Sequence, residues 1–174
     1  LALIILGPLM LAVAVAIRAY DGGPVFYKQC RLTEGGREFF VIKFRSMIVD
    51  AEKDGAPHPA EERDPRITPV GRVLRATRLD ELPQLIDILV GNMSIVGPRP
   101  PLPREVAQYT DYDRQRLLVV PGLTCYWQIK ANRNDILFED WVALDVKYIK
   151  ERSSLTDWKI IFMTVGAVLG MNGE

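Results

Sequence analysis

No side chain is charged from residue 1 to residue 17, and the first charge is Arg18. As a helix this apolar run reaches about 25 Å, a little under the roughly 30 Å hydrocarbon core of a bilayer. Gly7-Pro8 lies inside the run. Proline removes one backbone donor and its ring meets the carbonyl four residues earlier, at about 3 kcal/mol in a helix interior, so a kink is expected at Pro8. The segment either spans a membrane or, bent at Gly7-Pro8, enters and leaves by one face. A buried core helix and a secretory leader are the alternatives. Ala12-Val13-Ala14 resembles a cleavage site, but no basic start is in view.

The pattern changes after the turn cluster Asp21-Gly22-Gly23-Pro24. Residues 25–30 and 38–44 read as strands joined through Glu34-Gly35-Gly36, a hairpin. Residues 54–69, with four prolines and the single histidine, His58, read as a surface loop in which His58 is solvated. Helical periodicity returns at 70–76, 83–89 and 139–149. Near the end, Trp158, Ile161, Phe162, Val165 and Leu169 recur at steps of three and four and share one helical face. Such a face packs on a core, or lies in a membrane interface with Trp158 at headgroup depth. The class is α+β, mostly helical with a short β-hairpin. Residues 1–20 form a membrane helix, and residues 21–174 form the domain it carries. The chain opens on Leu1 within the apolar run, as expected of a piece of a longer protein.

Charge narrows the partners: 22 Lys+Arg balance 22 Asp+Glu, so no overall field attracts nucleic acid, and any cationic function is local. Cys30 and Cys125 match neither a disulfide framework nor a metal-ligand spacing and read as reduced thiols facing a cytoplasmic environment. Neither a G-x-G-x-x-G turn nor a Walker loop is present, so a bound nucleotide needs another phosphate cradle.

The densest polar cluster supplies one. Arg72, Arg75 and Arg78, three apart, are expected to share a side as a cationic wall. Leu79-Asp80-Glu81-Leu82-Pro83 follows, and Pro83 belongs in the first turn of a helix, which places Asp80 and Glu81 at or just before its N-terminus. Asp80 as a simple cap beside solvated arginines is the bland alternative. The chemical one is that an ionised carboxylate attacks a phosphoryl group without a partner base, while its neighbour holds a hard divalent ion. Gly97-Pro98-Arg99-Pro100-Pro101 fixes one arginine between prolines, and Lys43-Phe44-Arg45 ends the second strand with two cations.

Together these stretches resemble the bacterial sugar transferases, the monotopic phosphoglycosyl transferases that start exopolysaccharide, capsule and glycoprotein glycan assembly. The matching motifs are Gly23-Pro24-Val25-Phe26 with Gln29 and Arg31, KFRSM at 43–47, LDELPQL at 79–85, MSIVGPRP at 93–100, PGLTCYWQI at 121–129, and residues 145–148. The resemblance implies that Asp80 attacks the β-phosphorus of a UDP-sugar and expels UMP. Undecaprenyl phosphate then takes the sugar phosphate. It implies Mg²⁺ held by Glu81 with Asp80, phosphate or substrate contacts from Lys43, Arg75 and Arg99, and polar roles for Arg133 and Asp145. It also implies a re-entrant helix at Gly7-Pro8, a catalytic domain on the cytoplasmic face of the bacterial inner membrane, and an interfacial C-terminal helix. A homodimer is left open. Residues 116–129 and the ending after Asp157 look more like members that transfer glucose or galactose phosphate. Two positions depart from the family pattern: Gly7, where a small polar residue commonly precedes the proline, and Cys125, where glycine is usual and a positive φ would bring strain. A scaffold without turnover and an aspartyl-phosphate hydrolase are the rival classes.

Overall fold

The computed structural model describes residues 2–51, 64–130 and 136–169. His58 and Arg133 lie outside the described residues.

Helix α1 (Ala2–Asp21) is long and apolar enough to cross a membrane, and little of it is buried against the rest of the chain. It runs as one uninterrupted helix through Gly7 and Pro8, so the expected kink is not a break in helical structure. Pro8 removes one bond near the helix start, and the turns on either side keep theirs. Only the C-terminal half is anchored. Val13 and Ile17 are buried with Phe44 and Leu74, and Met10, Leu79 and Leu82 pack at the edge of that cluster. At the helix end, the Arg45 guanidinium donates to Asp21 at 2.8 Å.

Strands β1 (Phe26–Leu32) and β2 (Glu38–Phe44) form the antiparallel hairpin. The 3₁₀ turn between them needs Gly35 and Gly36, at φ 70° and 78°. Arg31 pairs with Phe39, Gln29 with Val41 and Tyr27 with Lys43, so these six residues share one face of the hairpin.

Helix α2 (Pro69–Ala76) starts with Pro69 in its first turn and with Thr68 as cap, whose hydroxyl accepts from the Gly71 N–H at 2.9 Å. Gly71 packs directly on the backbone of Ser46, where an added Cβ would lie 1.9 Å from the carbonyl oxygen. That close approach lets Arg75, one turn later, donate from Nε to Ser46 Oγ at 3.0 Å. After a 3₁₀ turn at Leu79–Glu81 comes the short α3 (Gln84–Leu89), tied to β2 by Asp87, which accepts from the Ile42 N–H at 3.1 Å.

A second, parallel pair joins β3 (Ser94–Val96) to β4 (Gly122–Thr124), and Gly122 fits against the backbone at Gly97. Between them lie α4 (Pro103–Val106) and a 3₁₀ turn at Asp113–Leu118. Helices α5 (Phe138–Glu151) and α6 (Ser154–Leu169) complete the order, and Val96, Cys125, Trp127, Tyr148 and Ile160 form the core they cover.

Helix α6 turns a different side inward from the one its spacing singles out. Ile160 is buried, Asp157 accepts from the Tyr148 hydroxyl at 2.9 Å, and Thr164 bonds Thr124 at 2.7 Å. Trp158, Phe162 and Val165 point outward. Apolar residues surround this helix on most sides, so periodicity alone does not choose its packed face. Cys125 carries no strain: among the described residues other than glycine, only Asp50 and Arg78 have positive φ.

Candidate active site

The site grows from the Leu79–Glu81 turn. Leu79 and Leu82 pack at the edge of the cluster formed by Val13 and Ile17 of α1 with Phe44 and Leu74, which ties the turn to that cluster. Asp80 and Glu81 lie between those two leucines in the chain.

Glu81 accepts from Lys43 Nζ at 2.6 Å, joining the turn to the end of β2. Asp80 is half-buried. Burial first, and then the adjacent Glu81 carboxylate, push it up to about 6, against the downward pull of Lys43 and Arg75. The sequence suggested an ordinary carboxylate; the fold makes a more basic one that is still mostly ionised at neutral pH.

The three arginines of the expected wall diverge. Helix α2 stops at Ala76, and Arg78 adopts the left-handed conformation at φ 56°, so the helical spacing no longer holds there. Arg72 is exposed, Arg75 bonds Ser46, and Arg78 donates from Nη2 to the Gln128 carbonyl at 3.1 Å. Of the three, Arg75 acts most on Asp80 through its inward pull on the carboxylate. The left-handed residue costs on the order of 1–3 kcal/mol and redirects the chain into the Asp80 turn.

A cleft opens beside the turn, lined among others by Arg31, Lys43, Glu81, Arg99, Trp127 and Gln128. Lys43, Glu81 and Arg99 thus meet as their motifs suggested. Arg99 is held from below. Its carbonyl accepts from Arg116 Nη2 at 3.2 Å, and its guanidinium lies 6.0 Å from the centre of the Trp141 ring.

Asp145, expected among the substrate contacts, lies away from the cleft surface. It is wholly buried and accepts from Arg116 Nε at 2.8 Å, with both side chains at 0% exposure. Arg116 also donates to the Tyr109 hydroxyl and lies 4.8 Å from the centre of Trp141. Burial pushes Asp145 up to about 6, opposed chiefly by Arg116 and, to a smaller extent, by the Cys125 thiol and the Trp141 indole. The same burial raises the Cys125 thiol far above its ordinary range. Arg116 thus links the buried Asp145 carboxylate to the Arg99 carbonyl, with Trp141 packed beside both arginines. Helical spacing within α5 gave its face no such inward reading, because Arg116 arrives from a distant part of the chain.

The family model for bacterial sugar transferases matches residues 1–171. The chain belongs to the bacterial sugar transferase family. It is 45% identical over 159 residues to the galactosyl transferase CpsE of Streptococcus agalactiae, covering 86% of this chain and 35% of that protein. It is 41% identical over 188 residues to the exopolysaccharide production protein ExoY of Sinorhizobium fredii, covering 100% of this chain and 83% of ExoY. It is also 41% identical to the UDP-glucose:undecaprenyl-phosphate glucose-1-phosphate transferase of Escherichia coli K12, covering 95% of this chain and 37% of that protein. The chain thus spans about a third of two of these relatives and most of the third.

Asp80 and Glu81 form an adjacent pair of hard oxygen donors, and no group of three or more His, Cys, Asp or Glu side chains placed to hold a metal occurs among the described residues. That donor set fits Mg²⁺, which keeps several waters and takes one or two carboxylates together with substrate phosphate. The repulsion that lifts Asp80 is what a divalent cation would relieve. Two arginines at or beneath the cleft carried little signal in the sequence. Arg31 appeared only within a motif, although strand alternation places it on the face of Lys43. Arg116 carried no local signal.

Proposed function

We propose that this sugar transferase moves a sugar 1-phosphate from a UDP-sugar to undecaprenyl phosphate, through a covalent aspartyl intermediate and with release of UMP. The observation that carries the reading is the setting of Asp80: a raised but ionisable carboxylate between Lys43 and Arg75, in a turn whose flanking leucines pack on the cluster that includes Val13 and Ile17 of the apolar helix. The Escherichia coli relative, a UDP-glucose:undecaprenyl-phosphate glucose-1-phosphate transferase, supports the donor and the lipid acceptor.

In the first half-reaction an Asp80 oxygen bonds to the β-phosphorus, the bond from that phosphorus to the bridging oxygen breaks, and UMP leaves with the electron pair. In the second, an oxygen of the lipid phosphate attacks the same phosphorus and the Asp80–phosphorus bond breaks, restoring the carboxylate. The net change is UDP-sugar plus undecaprenyl phosphate giving UMP and the lipid diphosphate sugar. Lys43, Arg75 and Arg99 neutralise phosphate oxygens of the donor, and Lys43 and Arg75 remain beside the phosphorus in the second step. Mg²⁺ held by Glu81 with Asp80 would offset charge developing on those oxygens.

Helix α1 seats the domain on the cytoplasmic face of the bacterial inner membrane, where a lipid phosphate reaches Asp80 without drawing its prenyl chain into water. We take α1 as entering the membrane by its exposed N-terminal half, without a break at Gly7-Pro8. The product is the first lipid-linked sugar of an exopolysaccharide, capsule or glycan.

Labelled UDP-glucose and UDP-galactose, incubated with the protein, Mg²⁺ and undecaprenyl phosphate, are expected to give lipid-linked label and stoichiometric UMP. Free sugar phosphate would make the protein a hydrolase, and no product would make it a scaffold. The raised pKa of Asp80 sets the pH profile. An acid whose pKa lies at about 6 loses its nucleophilic form as pH falls, so kcat/KM for UMP release should drop about tenfold per pH unit below about pH 6 and level off above pH 7. A profile flat down to pH 5 would exclude Asp80 as the titrating nucleophile. Glu81→Gln should raise the Mg²⁺ concentration for half-maximal activity by about tenfold or more. An unchanged metal titration would remove Glu81 from the ligand set.

A further inference from the structure

We propose that Arg31, together with Arg99, holds the phosphate that remains on the leaving nucleotide, so that the cleft carries a nucleoside monophosphate subsite distinct from the Lys43–Arg75 surroundings of Asp80. The inference rests on the transferase reading above and assigns the leaving group its own binding residues.

Arg31 is 6% exposed, yet its side chain lines the cleft. A buried guanidinium normally faces a carboxylate. Here its bonds go to neutral oxygens: Nη1 donates to the Pro100 carbonyl at 2.9 Å, while Nε and Nη2 donate to Gln29 Oε1 at 3.0 and 2.6 Å. Three of its five N–H groups are thereby used, leaving one on each terminal nitrogen. Gln29 and the Pro100 carbonyl lock the fork in place, which is what bidentate recognition of an anion requires.

The charge balance of the cleft points the same way. Glu81 pairs with Lys43. Among the described residues neither Arg31 nor Arg99 has a carboxylate within ion-pair distance. Arg99 acts on Arg31 strongly enough that, after burial, its charge is the next cause holding Arg31 down to about 10. Two like charges kept together, with Glu105 and Glu81 acting on Arg31 only from beyond ion-pair distance, match a phosphate monoester dianion. Around Asp80 the leading charges are instead Glu81, Lys43 and Arg75. The two cation pairs therefore address different ends of a diphosphate: one the phosphorus under attack, the other the phosphate that departs.

The test measures UMP and uridine binding to the wild-type chain, Arg31→Gln and Arg31→Lys by calorimetry, with thermal melts alongside. Arg31→Gln should weaken UMP at least tenfold and leave uridine within twofold, since only the phosphate contact is lost. Arg31→Lys, which keeps the charge but not the fork, should weaken UMP about threefold to tenfold, and it decides the matter if the glutamine variant does not fold. UMP affinity within twofold of wild type, or an equal loss for uridine, overturns the proposal. Formation of lipid-linked product by the wild-type protein is scored separately, so failure of the transferase reading and failure of the Arg31 assignment give different results.

Discussion

Replacing Asp80 by asparagine is expected to abolish UMP release and lipid product together, by about 10³-fold or more, while making the protein harder to melt. The activity loss follows because an amide is a poor nucleophile toward phosphorus. The stability gain follows from the pKa. Asp80 is raised from 3.8 to about 6 by burial and by Glu81. Between those values the folded state binds more protons than the unfolded one, so stability falls as pH rises through the window, and the penalty is fully present above about pH 6. A shift of that size corresponds to about 3 kcal/mol at most, and solvent reaching a half-buried group reduces it to about 1–2 kcal/mol. In a chain of this length that raises Tm by roughly 2–8 °C at pH 7.5 in EDTA, and the gain should vanish near pH 4. A variant that loses activity but melts below wild type at pH 7.5 would show that Asp80 supports the fold rather than straining it. One that keeps turnover would remove the nucleophile assignment altogether.

The second large effect belongs to the buried pair under Arg99. Asp145→Ala leaves the Arg116 guanidinium uncompensated where neither side chain has exposure, and should cost about 3–5 kcal/mol, read as a lower urea midpoint. Replacing both, with Asp145→Leu and Arg116→Met, should recover much of that stability because no lone charge is then buried. It should not recover substrate handling. The double variant lacks the bond from Arg116 to the Arg99 carbonyl and the charge stacked on Trp141, so KM for the UDP-sugar should stay raised about tenfold while kcat changes less. Stability restored along with a normal KM would reduce the pair to a purely structural role. A cost under about 1 kcal/mol for Asp145→Ala would contradict the burial itself.

Asp80 and Asp145, expected as nucleophile and as a polar contact, differ further in the fold than those readings implied. Both are aspartates within polar motifs, and both are raised to about 6 by burial. One sits at a turn with Lys43 and Arg75 nearby and solvent within reach; the other is enclosed with a dedicated partner. Spacing along the chain holds no record of that difference. The same limit applies to Arg72, Arg75 and Arg78, whose interval of three implies one face only while the helix lasts. The left-handed step at Arg78 ends it.

What the sequence determined by itself was whatever depends on neighbours in the chain. The charge-free run made α1, the Gly35-Gly36 pair made the hairpin turn, Thr68-Pro69 started α2, and the Asp80-Glu81 dyad lay where a helix was about to begin. Local backbone preference and side-chain period set each of these, so a short window of residues holds the information. Only the tertiary structure decided which side of α6 turns inward, that Arg31 joins Arg99 in one cleft, and that Asp145 is sealed against Arg116. Those outcomes depend on burial and on charges brought together from distant segments, and both are properties of the packed chain.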